Sequence, residues 1–533
     1  MESLPVEVVE RICSYLCFHC LNPGVFPNAD TEDTRSGKAA LARLSRMSVR
    51  ICAIAQPFVY HYFATGNMPR MDYTKFSDDR FILPAEDDKL PAFLRTVIER
   101  PDLAARVRTL QLVRSTKVID CSSDLLATLI VASKAAGMRH NPLPHVEGGT
   151  HDWLEELALV LLPGIETLLL ARDHPCRFRH LDDCGASLPS LRTVALRGVR
   201  RRYYMNEVAA LFGAAPGLET LYAMDCDFHE DTLSDPDIKH KDLQLARVAR
   251  LVVSGLAPDD LWLLVGRFPG LCELQYWFSS HYLDMLQFGE LVRALDPVRS
   301  TLRRLTLSYS SNSIMSAMYE DMIEFDEYDA MPLSREFAQL EFLAVDQAAI
   351  FCPGRWAEDT DDDGTDDGGT HDTPGLRLVE YLPPSIREVH FLSLYRSFPE
   401  LERLAREAPA ELPNLRVVVI SLAERIKDNR KAGIAQMLRT VRPLFEAAGI
   451  EFSASMSCFG GDPLSLLTFV EYSVSPLTSM SAAVTILPSR QEILTQTEST
   501  PKPIPSSPPP GATGLLEVVV VLPHRALLGF ATV

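Results

Sequence analysis

A surplus of basic residues is missing from this 533-residue sequence: 52 Lys and Arg stand against 71 Asp and Glu, a formal net charge of −19. No cationic reserve exists to displace counterions along a phosphate backbone, so no nucleic acid is expected as a partner. Any apolar run of the roughly 18 residues needed to cross a bilayer is also missing. The longest candidate, Gly514 to Pro523, is short and strand-like, so no membrane is expected either. No secretory leader is expected, since Met1-Glu2-Ser3-Leu4-Pro5 runs straight into a helical pattern instead of a charged-then-apolar one. The 11 cysteines are scattered. The expectation is a soluble protein with reduced thiols, in the cytoplasm and/or the nucleus.

The signatures of catalysis and cofactor binding are equally lacking. Neither G-x-S-x-G nor H-E-x-x-H occurs, and no strand is followed by G-x-G-x-x-G or by G-x-x-x-x-G-K-[ST]. The chain is expected not to be an enzyme, with no catalytic residue, metal or other cofactor. Three groupings of metal-capable residues stand out, and each falls short of a known module. Cys13, Cys17, His19 and Cys20 contain one C-x-x-C, but a structural zinc site needs four ligands and no second pair follows. His174, Cys176, His180 and Cys184 share a segment at a spacing that matches no zinc module. Asp359 to Gly364 imitates the opening of a calcium loop, yet its twelfth position is Thr370 where a bidentate Glu belongs.

What is present is ordinary globular composition, 47% hydrophobic and 23% charged, in a chain too long for one simple core. Residues 1–63 read as a helical module and 64–106 as a connector with a helix over Leu90–Arg100. Residues 107–455 alternate strand-like and helix-like segments, interrupted near 357–375 by an acidic stretch expected to be disordered. Residues 475–514 are rich in Pro, Ser and Thr and bury too little apolar surface to fold. The apolar tail 515–533 fits nothing before it.

Within 107–455 the pattern L-x-x-L-x-L recurs ten times, with apolar residues standing for L. It starts at Val107, Ile165, Leu191, Leu218, Val248, Leu271, Leu302, Leu340, Ile386 and Leu415. Its last two apolar positions are two residues apart and so share one face of a short strand. Helical patterns lie between (Asp152–Leu162, Met205–Gly213, Asp259–Phe268, Leu283–Leu295, Phe398–Glu407), and several end at Pro-Gly or Pro-Asn. Strand, return helix and strand in constant order predict an α/β solenoid with a curved parallel sheet. A doubly wound α/β sheet is the competing arrangement; its strands need not share a motif, and these do.

The array resembles leucine-rich repeats, although its units recur every roughly 23 to 46 residues, apart from one larger gap between Val107 and Ile165, against about 20–29 in the family. The Asn or Cys that follows the family's strand is matched only by Cys226, with Asp173, Ser279 and Ser310 as polar substitutes. Leu4-Pro5-Val6-Glu7-Val8-Val9-Glu10-Arg11-Ile12-Cys13-Ser14-Tyr15-Leu16 resembles the first half of an F-box, L-P-x-E-[IV]-x-x-x-I-x-x-[YH]-L. Pro5 suits the first helical turn, Glu7 complements the positive helix end, and Val8, Ile12 and Leu16 form an i, i+4, i+8 stripe. Ala39 to Phe63 is similar to the F-box's second half, with a longer, more polar loop (Leu21–Gly37) between them.

The whole is similar to F-box proteins of filamentous fungi that carry divergent leucine-rich repeats. That resemblance implies a substrate-recognition adaptor of an SCF-type cullin ubiquitin ligase. Leu4, Pro5, Val8, Ile12 and Leu16 would form or support the surface that docks on the Skp adaptor. An unknown protein substrate would lie on the concave face near Glu166, Thr167, Arg192, Thr193, Glu219, Thr220, Arg303, Arg304, Arg387 and Glu388. The alternatives are an interaction scaffold outside ubiquitination and, less favoured, an enzyme on an irregular α/β fold.

Overall fold

Alternation of apolar residues becomes a stack of parallel strands in the computed structural model of the chain, which describes residues 3–22, 32–65, 89–113, 122–138, 149–172, 178–198, 203–224, 226–227, 245–254, 256–278, 288–309, 336–346, 377–394, 400–422 and 428–456. All of these belong to the first of two units, Met1–Val474; the second is Ser475–Val533. The expected acidic insertion at 357–375, the segments 475–514 and 515–533, and the calcium-like loop all lie outside the described residues.

Fourteen described strands follow in chain order: β1 Tyr62–Ala64, β2 Thr109–Val113, β3 Thr167–Arg172, β4 Thr193–Gly198, β5 Tyr203–Tyr204, β6 Thr220–Met224, β7 Cys226–Asp227, β8 Arg250–Ser254, β9 Glu273–Phe278, β10 Arg304–Tyr309, β11 Phe342–Asp346, β12 Glu388–Leu394, β13 Val417–Leu422 and β14 Glu451–Met456. β5 and β7 pair separately; the other twelve form one parallel sheet in the order β1-β2-β3-β4-β6-β8-β9-β10-β11-β12-β13-β14. That order never reverses. A doubly wound sheet requires a reversal at its switch point, so the repeat-like, solenoid-type arrangement is the one adopted.

Each of the ten predicted motifs lies on one of the strands β2–β4, β6 and β8–β13. Their fourth and sixth positions, such as Leu110 and Leu112, Leu251 and Val253, or Leu305 and Leu307, are buried in one continuous core. The facing layer comes from helices, including Trp153, Leu154 and Leu157 of Gly149–Leu161 and Leu261 and Leu264 of Pro258–Val265. Backbone bonding repeats with the coil. The carbonyl at the second motif position accepts two N–H groups from the next coil: Arg108 from Glu166 and Thr167, Glu166 from Arg192 and Thr193, Arg192 from Glu219 and Thr220. Polar backbone groups that core burial would otherwise strand are satisfied coil by coil.

The Pro-Gly turns serve the same stacking. Arg192 Nη1 donates to the Gly217 carbonyl at 2.9 Å, and Arg108 Nη1 to that of Gly164 at 3.1 Å. A Cβ at position 217 would meet the Arg192 guanidinium, which would have to swing out of this contact, and would stand 3.1 Å from the Pro189 carbonyl oxygen. The side chain of Cys226 turns back to the carbonyls of Leu196 and Met224, as a turn-supporting residue of this kind of coil should. Asp173, Ser279 and Ser310 lie outside the described residues.

The sheet differs from expectation at both ends. β1 pairs with β2 from Tyr62↔Thr109 onward, so the array begins inside the region assigned to the helical module. At the far end β14 pairs with β13 although its stretch breaks the apolar pattern at Gly449.

Ahead of the sheet stand four helices: α1 Val6–Leu16, α2 Phe18–Leu21, α3 Glu32–Leu44 and α4 Val49–Tyr60. They carry a small core of their own, made by Val9, Cys13, Cys17, Leu41, Ile51 and Ala55. Ser48 caps α4 by accepting from the Ile51 N–H. The segment Leu21–Gly37 is not a loop throughout, since α3 begins at Glu32. Gly37 is the point of closest approach: a Cβ there would lie 2.6 Å from the Leu16 carbonyl oxygen, which is backbone and cannot swing aside. Gly37→Ala is therefore expected to destabilise the module by about 1–3 kcal/mol despite the better helix propensity of alanine. Chemical denaturation of the full chain checks it; an unchanged or raised stability would contradict the close crossing.

Candidate functional site

Two adjacent stripes of α1 are apolar, and the structure separates them. Val9, Cys13 and Cys17 turn inward and are buried. The neighbouring stripe stays near the surface: Pro5 and Val8 are exposed, while Leu4, Ile12 and Leu16 are half-buried. Leu4 and Leu16 pack against the module's core, so they support the surface more than they form it. Arg50 of α4 donates to the Leu4 carbonyl at 2.6 Å and fixes the entry of α1.

Exposed large apolar side chains are concentrated here. Among the described residues they are Val6, Val8, Tyr15, Leu21, Met47 and Val49 in the module, against only Val131 and Trp262 in the array. Val49 is 91% exposed and Met47 57%. Exposed apolar side chains on a small module beside a well-buried array make the module the candidate protein-binding surface.

The second expected surface is partly a different thing from what the sequence implied. Thr167, Thr193, Thr220, Arg304 and Glu388 do fall on one register row, continued by Arg250, Glu273 and Phe342. Their companions one residue earlier face each other across coils: Arg108 and Glu166 at 3.2 Å, Arg192 and Glu219 at 3.5 Å, Arg387 and Glu341 at 3.7 Å. These half-exposed pairs contribute little stability each, and charges so paired are a weaker lure for a partner. Further along the strands the same face is buried, at Gln111, Leu169, Tyr222, Gln275, Arg197, Trp277 and Asp346. Glu388 accepts a hydrogen bond from His390 Nε2 at 2.6 Å. Burial works against its charge, but His390 and Arg304 prevail and hold the carboxyl below its ordinary range.

A third grouping was only half visible in the sequence. Cys17 ends α1, His19 and Cys20 lie in α2, and His61 follows α4. One donor atom from each lies within 4.8 Å of all the others, and among the described residues this is the one group of three or more metal-capable side chains. Cys20 Sγ is 3.4 Å from His61 Nδ1, Cys17 Sγ 3.7 Å from the same nitrogen, and Cys20 Sγ 3.9 Å from His19 Nδ1. Cys13, grouped with them in the sequence, points into the module's core instead, where burial raises its thiol to about 11. His61 takes its place. Burial lowers the pKa of His61 to about 4, helped by His19, Arg108 and Arg106, and burial also lowers that of His19 against the pull of Glu166. Both imidazoles are thus neutral near pH 7. The Cys20 thiol is raised by burial and by Cys17. Of the other cysteine–histidine grouping, His174 and Cys176 lie outside the described residues.

A scan of protein-family models finds no match to this chain, and a search of curated proteins finds none. The functional reading therefore stands on these residues. Among the described residues no helix is long and apolar enough to cross a membrane.

Proposed function

We propose that the chain is a substrate-recognition adaptor of an SCF-type cullin ubiquitin ligase: the N-terminal helices dock on the Skp adaptor, and the repeat array holds a protein substrate. The observation that carries this reading is the coincidence of the F-box-like motif with the exposed apolar surface. The residues that match the motif, Leu4 to Leu16, lie on and just ahead of α1, which turns Val9 and Cys13 inward and leaves Pro5 and Val8 exposed, with exposed Tyr15 two turns on from Val8 along the same face. Apolar side chains on a helix face are the anchors from which helix-in-groove partners draw most of their binding energy. The array supports the second half, since a long stack of coils offers an extended surface and no reactive constellation is needed on it. The chemistry belongs to the partners, and this chain supplies proximity.

Co-purification tests the assignment. The tagged full chain, expressed with Skp and cullin, is expected to bring down both. Skp without cullin would favour a scaffold outside ubiquitination. Capture of neither would overturn the proposal.

A further inference from the structure

We infer that Cys17, His19, Cys20 and His61 form a Cys2His2 site for a zinc ion, which ties the N-terminal helices to the first coil of the sheet. With Zn–S near 2.3 Å and Zn–N near 2.0–2.1 Å, tetrahedral geometry puts neighbouring donor atoms about 3.4–3.8 Å apart. Three of the six separations, 3.4, 3.7 and 3.9 Å, are at or within 0.1 Å of that spacing, and with all four donors inside 4.8 Å of one another side-chain adjustments of under about 1 Å complete the tetrahedron. Two thiolates and two neutral imidazoles make a donor set that selects zinc among the common divalent ions, since calcium and magnesium require oxygen.

A carboxylate stands behind one ligand, one small side-chain movement from hydrogen-bond distance. His19 turns Nδ1 toward Cys20 and Nε2 toward the Glu166 carboxylate, 3.9 Å away. A carboxylate behind a ligating imidazole fixes its tautomer and raises its basicity. Glu166 is in turn held by Arg108 at 3.2 Å. The four ligands also come from the places that need joining. Cys17, His19 and Cys20 sit where α1 passes into α2, whereas the His61 carbonyl accepts the N–H groups of Arg108 and Thr109 and so opens the carbonyl ladder of the sheet. Lys38 of α3 crosses the same junction, donating to the Tyr62 carbonyl at 3.0 Å. A bound ion would make the module and the array one body, with Glu166 from the third coil as its outer support. Binding it releases the two thiol protons to solvent.

The test is the metal content of the full chain, expressed in zinc-supplemented medium and dialysed against metal-free buffer. About one zinc per chain is expected for the wild type, and below about a tenth of that for Cys17→Ser/Cys20→Ser. His61→Ala should lose the ion and His61→Cys should keep it, a rescue that a merely misfolded variant cannot give. Cys52→Ser, in the same module but outside the group, should keep full occupancy. Glu166→Gln should weaken zinc binding by about 10-fold in a competition with a chromophoric chelator. Cobalt(II) added to the metal-free wild type should give the ligand-field bands of a tetrahedral ion with thiolate charge transfer. A wild type without zinc, a Cys17–Cys20 disulfide in its place, or equal zinc in wild type and Cys17→Ser/Cys20→Ser would each overturn the site.

Discussion

Leu274→Ala is expected to lower the stability of the array by about 3–5 kcal/mol. Leu274 is fully buried on β9, and its register neighbours Leu251 and Leu305 are fully buried too. Backbone bonds on both sides hold those neighbours in place, so the vacated volume cannot close by collapse and the cavity cost is added to the lost transfer energy. The position magnifies the effect. In a stack where each coil touches chiefly its neighbours, weakening the middle uncouples the two halves, and one broad transition should separate into two. A truncation of equal size near the end of the sheet, Ile420→Ala at a fully buried position of β13, should cost less and leave the remaining coils cooperative. Arg192→Ala, which removes only a half-exposed ion pair and a turn contact, should cost about 0.5–1.5 kcal/mol. Denaturant unfolding followed by circular dichroism checks the series; a loss below about 1 kcal/mol at Leu274 would contradict a shared core.

Val8→Asp is expected to weaken Skp capture by about 30-fold or more, since an interface anchor of this kind is worth about 2 kcal/mol or more. The substitution places a charge on a side chain that is 42% exposed in the free chain, so the fold should notice it by no more than about 0.5 kcal/mol. Val9→Asp is the contrast. That residue is fully buried in the module's core, and an unpaired charge there should unfold the helices along with any docking. Parallel measurement of Skp binding and of thermal unfolding separates the two: Val8→Asp should change the first alone, Val9→Asp both. Equal Skp binding by Val8→Asp and wild type would remove α1 from the docking surface.

The array was legible because its signal repeats. One L-x-x-L-x-L segment is weak, but ten in a constant layout predicted ten strands, each set by the same alternation of core and surface. β1 and β14 escaped that reading for a local reason: the stretch before β14 has Gly449 where the pattern needs an apolar residue, and just past β1 the last apolar position of the pattern falls on polar Thr65. Several helices were missed as well, among them Ser123–Ala135 and the 20-residue Asp428–Ala447. Asp428–Ala447 contains Pro443, which reads as a break in sequence.

The N-terminal module was less legible, because Val8-Ile12 and Val9-Cys13 are both apolar at helical spacing. Periodicity cannot decide which pair turns inward; packing against Leu41, Ile51 and Ala55 does. The cysteine–histidine group was least legible. Three of its members lie within four residues, but His61 stands 41 residues beyond Cys20 and no motif announces it. The fold supplies that fourth donor by returning α4 to the end of α1.

The central claim is that the exposed face of α1 docks on Skp, and titration of purified Skp into the full chain tests it most directly. Wild type should bind saturably at one Skp per chain, with Val8→Asp about 30-fold weaker or worse at unchanged thermal stability. No saturable binding by the wild type, or binding of equal strength by the variant, would contradict the account.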